Sequence, residues 1–214
     1  MGLALTAVAA LVALSVLFVV TRIENQQVSD NARRLNRPSL AEPSAARSAV
    51  VYFSRSGNTA VAAQHIARRM GARLLAIEAP DYEPGIPGIA RALRDARNHD
   101  ARITPTAADL QGMQTVYLGS PIWLYSPAPP IWAFAARHRF DGQNVVLFNT
   151  FNSKFEQRFI DEFRQLVMAQ GARSFRHVFV KRGRMGQQLS TKSMLGQIDE
   201  SWFIEERGTE DPAR

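Results

Sequence analysis

The stretch Val50-Val51-Tyr52-Phe53-Ser54-Arg55-Ser56-Gly57-Asn58-Thr59 decides how the rest of the chain is read. Its first four residues are β-branched or aromatic and read as a buried strand. The run stops at a hydroxyl-rich turn, after which Val61, Ile66, Ala67 and Met70 recur at helical spacing. Strand, turn and helix follow one another without a gap.

The turn gathers Ser54, Ser56, Asn58 and Thr59 around the start of that helix. Backbone N–H groups there lack partners and carry a partial positive charge, so the place suits a phosphate dianion. Gly57 has no Cβ, tolerates a positive φ and lets the backbone come close to an anion. The same residue types are also ordinary helix caps, so local pattern leaves a capped helix start open beside a phosphate loop. Other phosphate chemistries are excluded. The chain lacks G-x-x-x-x-G-K-[ST], and a single glycine in the turn rules out G-x-G-x-x-G. With no cysteine in the chain a thiolate phosphatase loop is impossible. Without a G-x-S-x-G elbow neither serine reads as a nucleophile. What remains is a loop that holds phosphate without attacking it.

On these residues the stretch resembles the first loop of flavodoxins, [ST]-x-[ST]-G-x-T directly after the first strand. Ser54, Ser56, Gly57 and Thr59 fill its four defined positions. The resemblance implies that this loop wraps the 5′-phosphate of FMN, with Asn58 in the same turn and Arg55 as an added charge partner.

Downstream, Leu74 to Ile77 reads as a short buried strand, and alternation of strand and helix this early indicates a parallel α/β sheet. Thr115 to Leu118 is the next strand, and it runs into Gly119, Ser120, Pro121, Ile122, Trp123, Leu124 and Tyr125. In a doubly wound sheet the loops at the carboxyl ends of adjacent strands converge where ligands bind. Pro121-Ile122-Trp123 resembles the flavodoxin loop that lines the isoalloxazine ring, which implies ring contacts from these residues together with Leu124 and Tyr125. The following Ser126-Pro127-Ala128-Pro129-Pro130 resembles the proline-rich helix start of the same proteins; prolines cost nothing in a first helical turn. A Trp and a Tyr this close in sequence also suit core anchors.

Asn144 to Phe148 supplies a fourth strand, ending at Asn149, Thr150, Phe151 and Asn152. Flavodoxin-like proteins place a glycine-rich turn here, and this chain has no glycine between Gly142 and Gly171. Either Phe151, with Thr150, meets the ring or the site is altered. A helix is expected from about Ser153 to Gln170, with Phe155, Phe159, Phe163 and Val167 as its core stripe. Phe175, Val178 and Val180 mark a fifth strand, and Ser190 to Glu206 a closing helix. The four histidines are scattered, and no spacing indicates a metal site.

The chain has 214 residues, 46% apolar and 21% charged, which fits one domain with an appendage. Gly2 to Val20 carries no charge and would span about 29 Å as a helix, matching the hydrocarbon core of a bilayer. With no basic residues before it, the run reads as an uncleaved anchor rather than a signal peptide. Arg22, Arg33, Arg34 and Arg37 flank only its C-terminal side, which places the domain in the cytoplasm. The expected organisation is therefore a transmembrane anchor at 1–21, a flexible linker at 22–47, a flavodoxin-like domain at 48–206 and a disordered tail at 207–214.

The fold class expected is α/β, a flavodoxin-like doubly wound five-stranded parallel sheet of order 2-1-3-4-5 with an N-terminal transmembrane helix. The function expected is an FMN-binding electron-transfer or oxidoreductase domain tethered to the cell membrane through residues 2–20. Its partner would be a redox protein or a small-molecule acceptor. The alternative is a flavodoxin-fold protein without flavin, acting as a membrane-tethered interaction module. Formal net charge is +7, yet the arginines are spread over helices and no nucleic-acid-binding motif appears, so no nucleic-acid partner is expected. No residue reads as catalytic in its own right.

Overall fold

The computed structural model describes residues 15, 18–19, 22, 25–35, 46–183 and 187–203. Residues 25–35 form helix α1. Strand β1 (Ser48–Phe53) leads into α2 (Asn58–Met70), β2 (Arg73–Ile77) and α3 (Ile86–Asp95). Then come β3 (Thr115–Trp123), the two-residue β4 (Ser126–Pro127) and α4 (Pro129–Ala136). The chain closes with β5 (Asn144–Phe151), α5 (Gln157–Ala169), β6 (Ser174–Lys181) and α6 (Thr191–Ser201).

The five long strands are parallel and lie in the order β2-β1-β3-β5-β6. The sheet is nevertheless six-stranded, not five-stranded as expected. β3 runs on through Trp123 and folds back antiparallel onto β4, pairing Ile122 with Pro127 and Trp123 with Ser126. Pro121, Ile122 and Trp123 are thus strand residues rather than loop residues.

Alternation along the strands divides the core in two. Val51 and Phe53 of β1, Val116 and Leu118 of β3, and Val145 and Leu147 of β5 face Ile131 and Phe134 of α4 and Ile160, Phe163 and Val167 of α5. Val50, Tyr117, Val146 and Phe148 face the opposite way, toward Val61 and Ile66 of α2 and Met194 and Ile198 of α6. Covering both faces lets the strands be apolar throughout. Gly119 in β3 serves the same packing, because a Cβ there would lie 2.2 Å from the Phe148 ring.

The helices differ from expectation at their ends. α5 starts at Gln157, so Phe155 stands before it and packs edge-on against Phe151, His177 and Phe179. α3 starts at Ile86, with Pro87 in its first turn. α6 begins as read, with the Ser190 hydroxyl accepting from Ser193 N.

The linker expected over 22–47 is helical at 25–35, and Asn31 there is buried, 4% exposed. No glycine or proline interrupts this segment, and Val28, Ala32 and Leu35 share one face at helical spacing. Leu35 packs on the α2–α6 side of the core. The apolar run 2–20 lies outside the described residues except for Ser15, Phe18 and Val19, and residues 207–214 lie outside them altogether. Among the described residues no helix is long and apolar enough to cross a membrane.

Candidate functional site

The turn after β1 opens α2 without a cap. Gly57 takes the N-cap position in the left-handed region, φ 86°, and, having no side chain, supplies no acceptor to the first helical N–H groups. The choice between capped start and anion loop is thereby narrowed, because the cap residue leaves these donors without a side-chain acceptor of its own. Ser54 Oγ is buried and has no hydrogen-bond partner among the described residues. Asn58 and Thr59 are buried beneath the turn, and the Thr59 hydroxyl shares a 2.8 Å hydrogen bond with that of Thr150 at the end of β5. That bond ties the start of α2 to the third loop.

A cavity of about 410 Å³ opens at this point, within the size range of small-molecule sites. The first loop contributes Ser54, Arg55, Ser56, Asn58 and Thr59 to its lining. Pro121, Ile122 and Trp123 of β3 form a second wall, and Thr150, Phe151, Asn152 and Ser153 a third. Ten of the thirteen expected site residues therefore meet in one place, at the carboxyl ends of β1, β3 and β5.

Three do not line it. Gly57 points elsewhere: a Cβ on it would lie 2.5 Å from Asn31 Cβ of α1. Its missing side chain makes room for that helix, not for the cavity. Asn31 Nδ2 donates to Ser56 O at 2.8 Å and to Asn58 Oδ1 at 3.1 Å, so α1 braces the loop from behind. Leu124 and Tyr125 form the two-residue turn between β3 and β4, both in the left-handed region at φ 40° and 78°. Paired positive φ values match the twist of a tight hairpin but strain residues that carry a Cβ. Tyr125 O is held by Glu156 N at 3.0 Å and its ring lies under Lys154 Nζ, 5.0 Å away.

Two residues have roles divided between site and scaffold. Arg55 Nη2 reaches Glu83 O at 3.4 Å and Gly85 O at 3.2 Å, tying the first loop to the segment before α3. Trp123 packs edge-on against Phe53 at 5.6 Å and Tyr82 at 5.1 Å, while remaining only partly buried. Burial pushes the Tyr82 hydroxyl up to about 12, so it stays neutral behind Trp123.

The cavity also takes in Gln27 of α1, Ile89 and Leu93 of α3, and Arg182 beyond β6, none of which the sequence reading named. Arg182 was findable in principle, since it follows the fifth long strand at the carboxyl end of the sheet. A larger hollow, about 870 Å³, lies among Leu110, Gln114, Asn144 and Arg173 at the opposite ends of the strands. None of the loops described above reaches it.

A doubly wound parallel sheet with a hydroxyl-rich loop after its first strand and an aromatic second wall defines a flavodoxin-like α/β protein. The chain belongs to the flavodoxin family: the family model described as flavodoxin matches residues 47–174. Among solved structures it is similar to a Bacteroides uniformis protein, at 20% identity and TM-score 0.55, over 72% of this chain and 97% of that one. A Bacteroides eggerthii protein aligns at 19% identity and TM-score 0.53, over 72% and 96%. A flavoprotein of Lactobacillus acidophilus, solved in complex with FMN, aligns at 18% identity and TM-score 0.52, over 62% and 93%. No curated protein matches the sequence.

Proposed function

We propose that this chain is an FMN-binding flavoprotein of the electron-transfer or oxidoreductase kind, tethered to a membrane. One observation carries the reading: Ser54, whose hydroxyl is unpartnered among the described residues, and the first residues of α2 line the same cavity as Trp123 and Phe151. The donor set fits a phosphate ester, and the aromatic walls fit a flat ring. That a protein of the same fold was solved with FMN supports this cofactor over another flat phosphate ester.

In this reading Ser54, Ser56, Asn58 and Thr59 offer hydroxyl, amide and backbone N–H donors to the phosphate. Pro121, Ile122 and Trp123, with Phe151, orient the ring and exclude water from it. Thr150 holds Thr59 in place, and Arg55 fixes the loop to its neighbour. Bound there, FMN would supply one- or two-electron transfer, and the residues around it tune the potential. The acceptor or donor is a redox protein or a small molecule that reaches the open side of the cavity.

The uncharged run Gly2–Val20, followed by Arg22, Arg33, Arg34 and Arg37, supports an anchor with the domain in the cytoplasm. Full-length protein extracted from membranes in detergent is expected to be yellow and to release FMN on denaturation. A colourless, folded preparation that leaves FMN fluorescence unquenched overturns the flavin reading. Recovery in the soluble fraction, or cleavage of the domain by protease added outside intact cells, overturns the tether or its orientation.

A further inference from the structure

Arg182 is a buried cation that no carboxylate among the described residues answers. It follows directly on β6, where its backbone N–H donates to Phe151 O at 2.7 Å, and its side chain is 8% exposed. Val180, two residues earlier, faces α2 and α6, and the Arg182 side chain reaches the same face. Nη1 lies 3.4 Å from Met194 Sδ, Nη2 donates to Thr191 Oγ1 at 3.2 Å, and Nε has no partner among the described residues. Both contacts are uncharged. An arginine remains protonated in such a place, and burying its charge without an anion is heavily penalised. Burial, with Arg34 nearby, pushes its proton affinity down, as expected of a cation with no counter-charge.

The cavity that Arg182 lines is also lined by Ser54, whose Oγ has no partner among the described residues, and by Asn58 and Thr59 at the start of α2. The residues that bear a buried cation, a buried hydroxyl and the first backbone donors of α2 thus line one cavity. We propose that Arg182 is the counter-charge for the phosphate monoester held at the start of α2, supplied from beyond the edge strand β6. This rests on the flavin reading above. It adds that recognition is chiefly of the phosphate, so that the site discriminates strongly between FMN and riboflavin. The planar fork leaves the Nε–H to an oxygen acceptor while Nη2 donates to Thr191.

The test uses the full-length protein in detergent and its Arg182→Met and Arg182→Lys variants, each titrated with FMN, riboflavin and inorganic phosphate. Methionine keeps the apolar stem without the charge, and lysine keeps the charge without the fork. The expected result for Arg182→Met is a loss of FMN affinity of about 10- to 100-fold, the usual range for a hydrogen bond to a charged group. Riboflavin affinity should be unchanged, the phosphate-dependent rise in Tm should vanish, and the unliganded Tm should be equal or higher. Arg182→Lys should fall between. Equal weakening toward FMN and riboflavin, or a large drop in unliganded Tm in both variants, makes Arg182 a scaffold residue and overturns the proposal. Wild-type protein that binds FMN together with an unaffected Arg182→Met overturns it while leaving the flavin reading intact. Wild-type protein stabilised by phosphate through Arg182 but blind to FMN keeps the anion site and sinks the flavin reading. Binding of neither FMN nor phosphate sinks both.

Discussion

Trp123 carries two loads at once. Its edge-on contacts with Phe53 and Tyr82 tie it to the core, and its position in the lining turns part of the indole toward the cavity. An electron-rich ring beside a flavin, together with the water it excludes, disfavours added negative charge on the reduced cofactor. Trp123→Ala should therefore weaken FMN binding by about 1–3 kcal/mol, by analogy with aromatic–base stacking, and raise the potential of the fully reduced couple. The apo protein should lose less than the roughly 3–5 kcal/mol of a fully buried tryptophan, because this one is partly exposed. Chemical denaturation and a redox titration on the one variant settle the division: a full core-sized loss with an unaltered potential would remove Trp123 from the site.

At the level of elements, α1 is part of the first loop's construction although it precedes the segment the family model matches. Gly57→Ala should cost on the order of 1–3 kcal/mol, from a positive φ and from the approach of Asn31 Cβ. Asn31→Gly on its own also destabilises, since Ser56 O and Asn58 Oδ1 lose their donor, yet the two substitutions together should cost less than their sum. Strict additivity in urea unfolding would mean that α1 does not seat on the loop. This contact explains what the sequence could and could not tell. The β1–turn–α2 unit was legible because apolar period changes within one continuous run, and Ser54 to Thr59 kept their place. The reason assigned to Gly57 was incomplete, because Asn31 is a tertiary neighbour that no local pattern announces. α1 itself was hidden by its polar composition and by the longer apolar run before it. β4 is too short to carry a period, and Arg182 joins the site only through the β5–β6 register, which brings Phe151 beside Lys181.

For the molecule as a whole, acid sensitivity is built into its buried histidines. Burial pushes His177 down to about 4, while its Nε2 shares a 2.8 Å hydrogen bond with Asn149 Oδ1; burial also lowers His138, outweighing the opposing pull of Asp141. The unfolded chain, with imidazoles near the ordinary value of about 6.5, takes up these protons first. Stability from His177 is therefore complete above about pH 6.5 and declines as pH falls toward 4, by at most roughly 3 kcal/mol given its partial burial. Urea midpoints measured across that window should fall with acidity in the wild type and fall less in His177→Gln; parallel slopes would rule His177 out as the cause. The order of the strands has a kinetic side as well. β1 pairs with β3, Ser48 beside Thr115, only after α2, β2, α3 and their loops have been enclosed between them. Closing so much chain before a ladder bond forms makes nucleation slow. The Thr59 and Thr150 hydroxyls meet only where β5 is joined to β3 and β3 to β1. A ligand of this cavity can thus recognise finished molecules alone: FMN added to refolding protein should leave the folding rate untouched and act entirely by slowing escape from the native state.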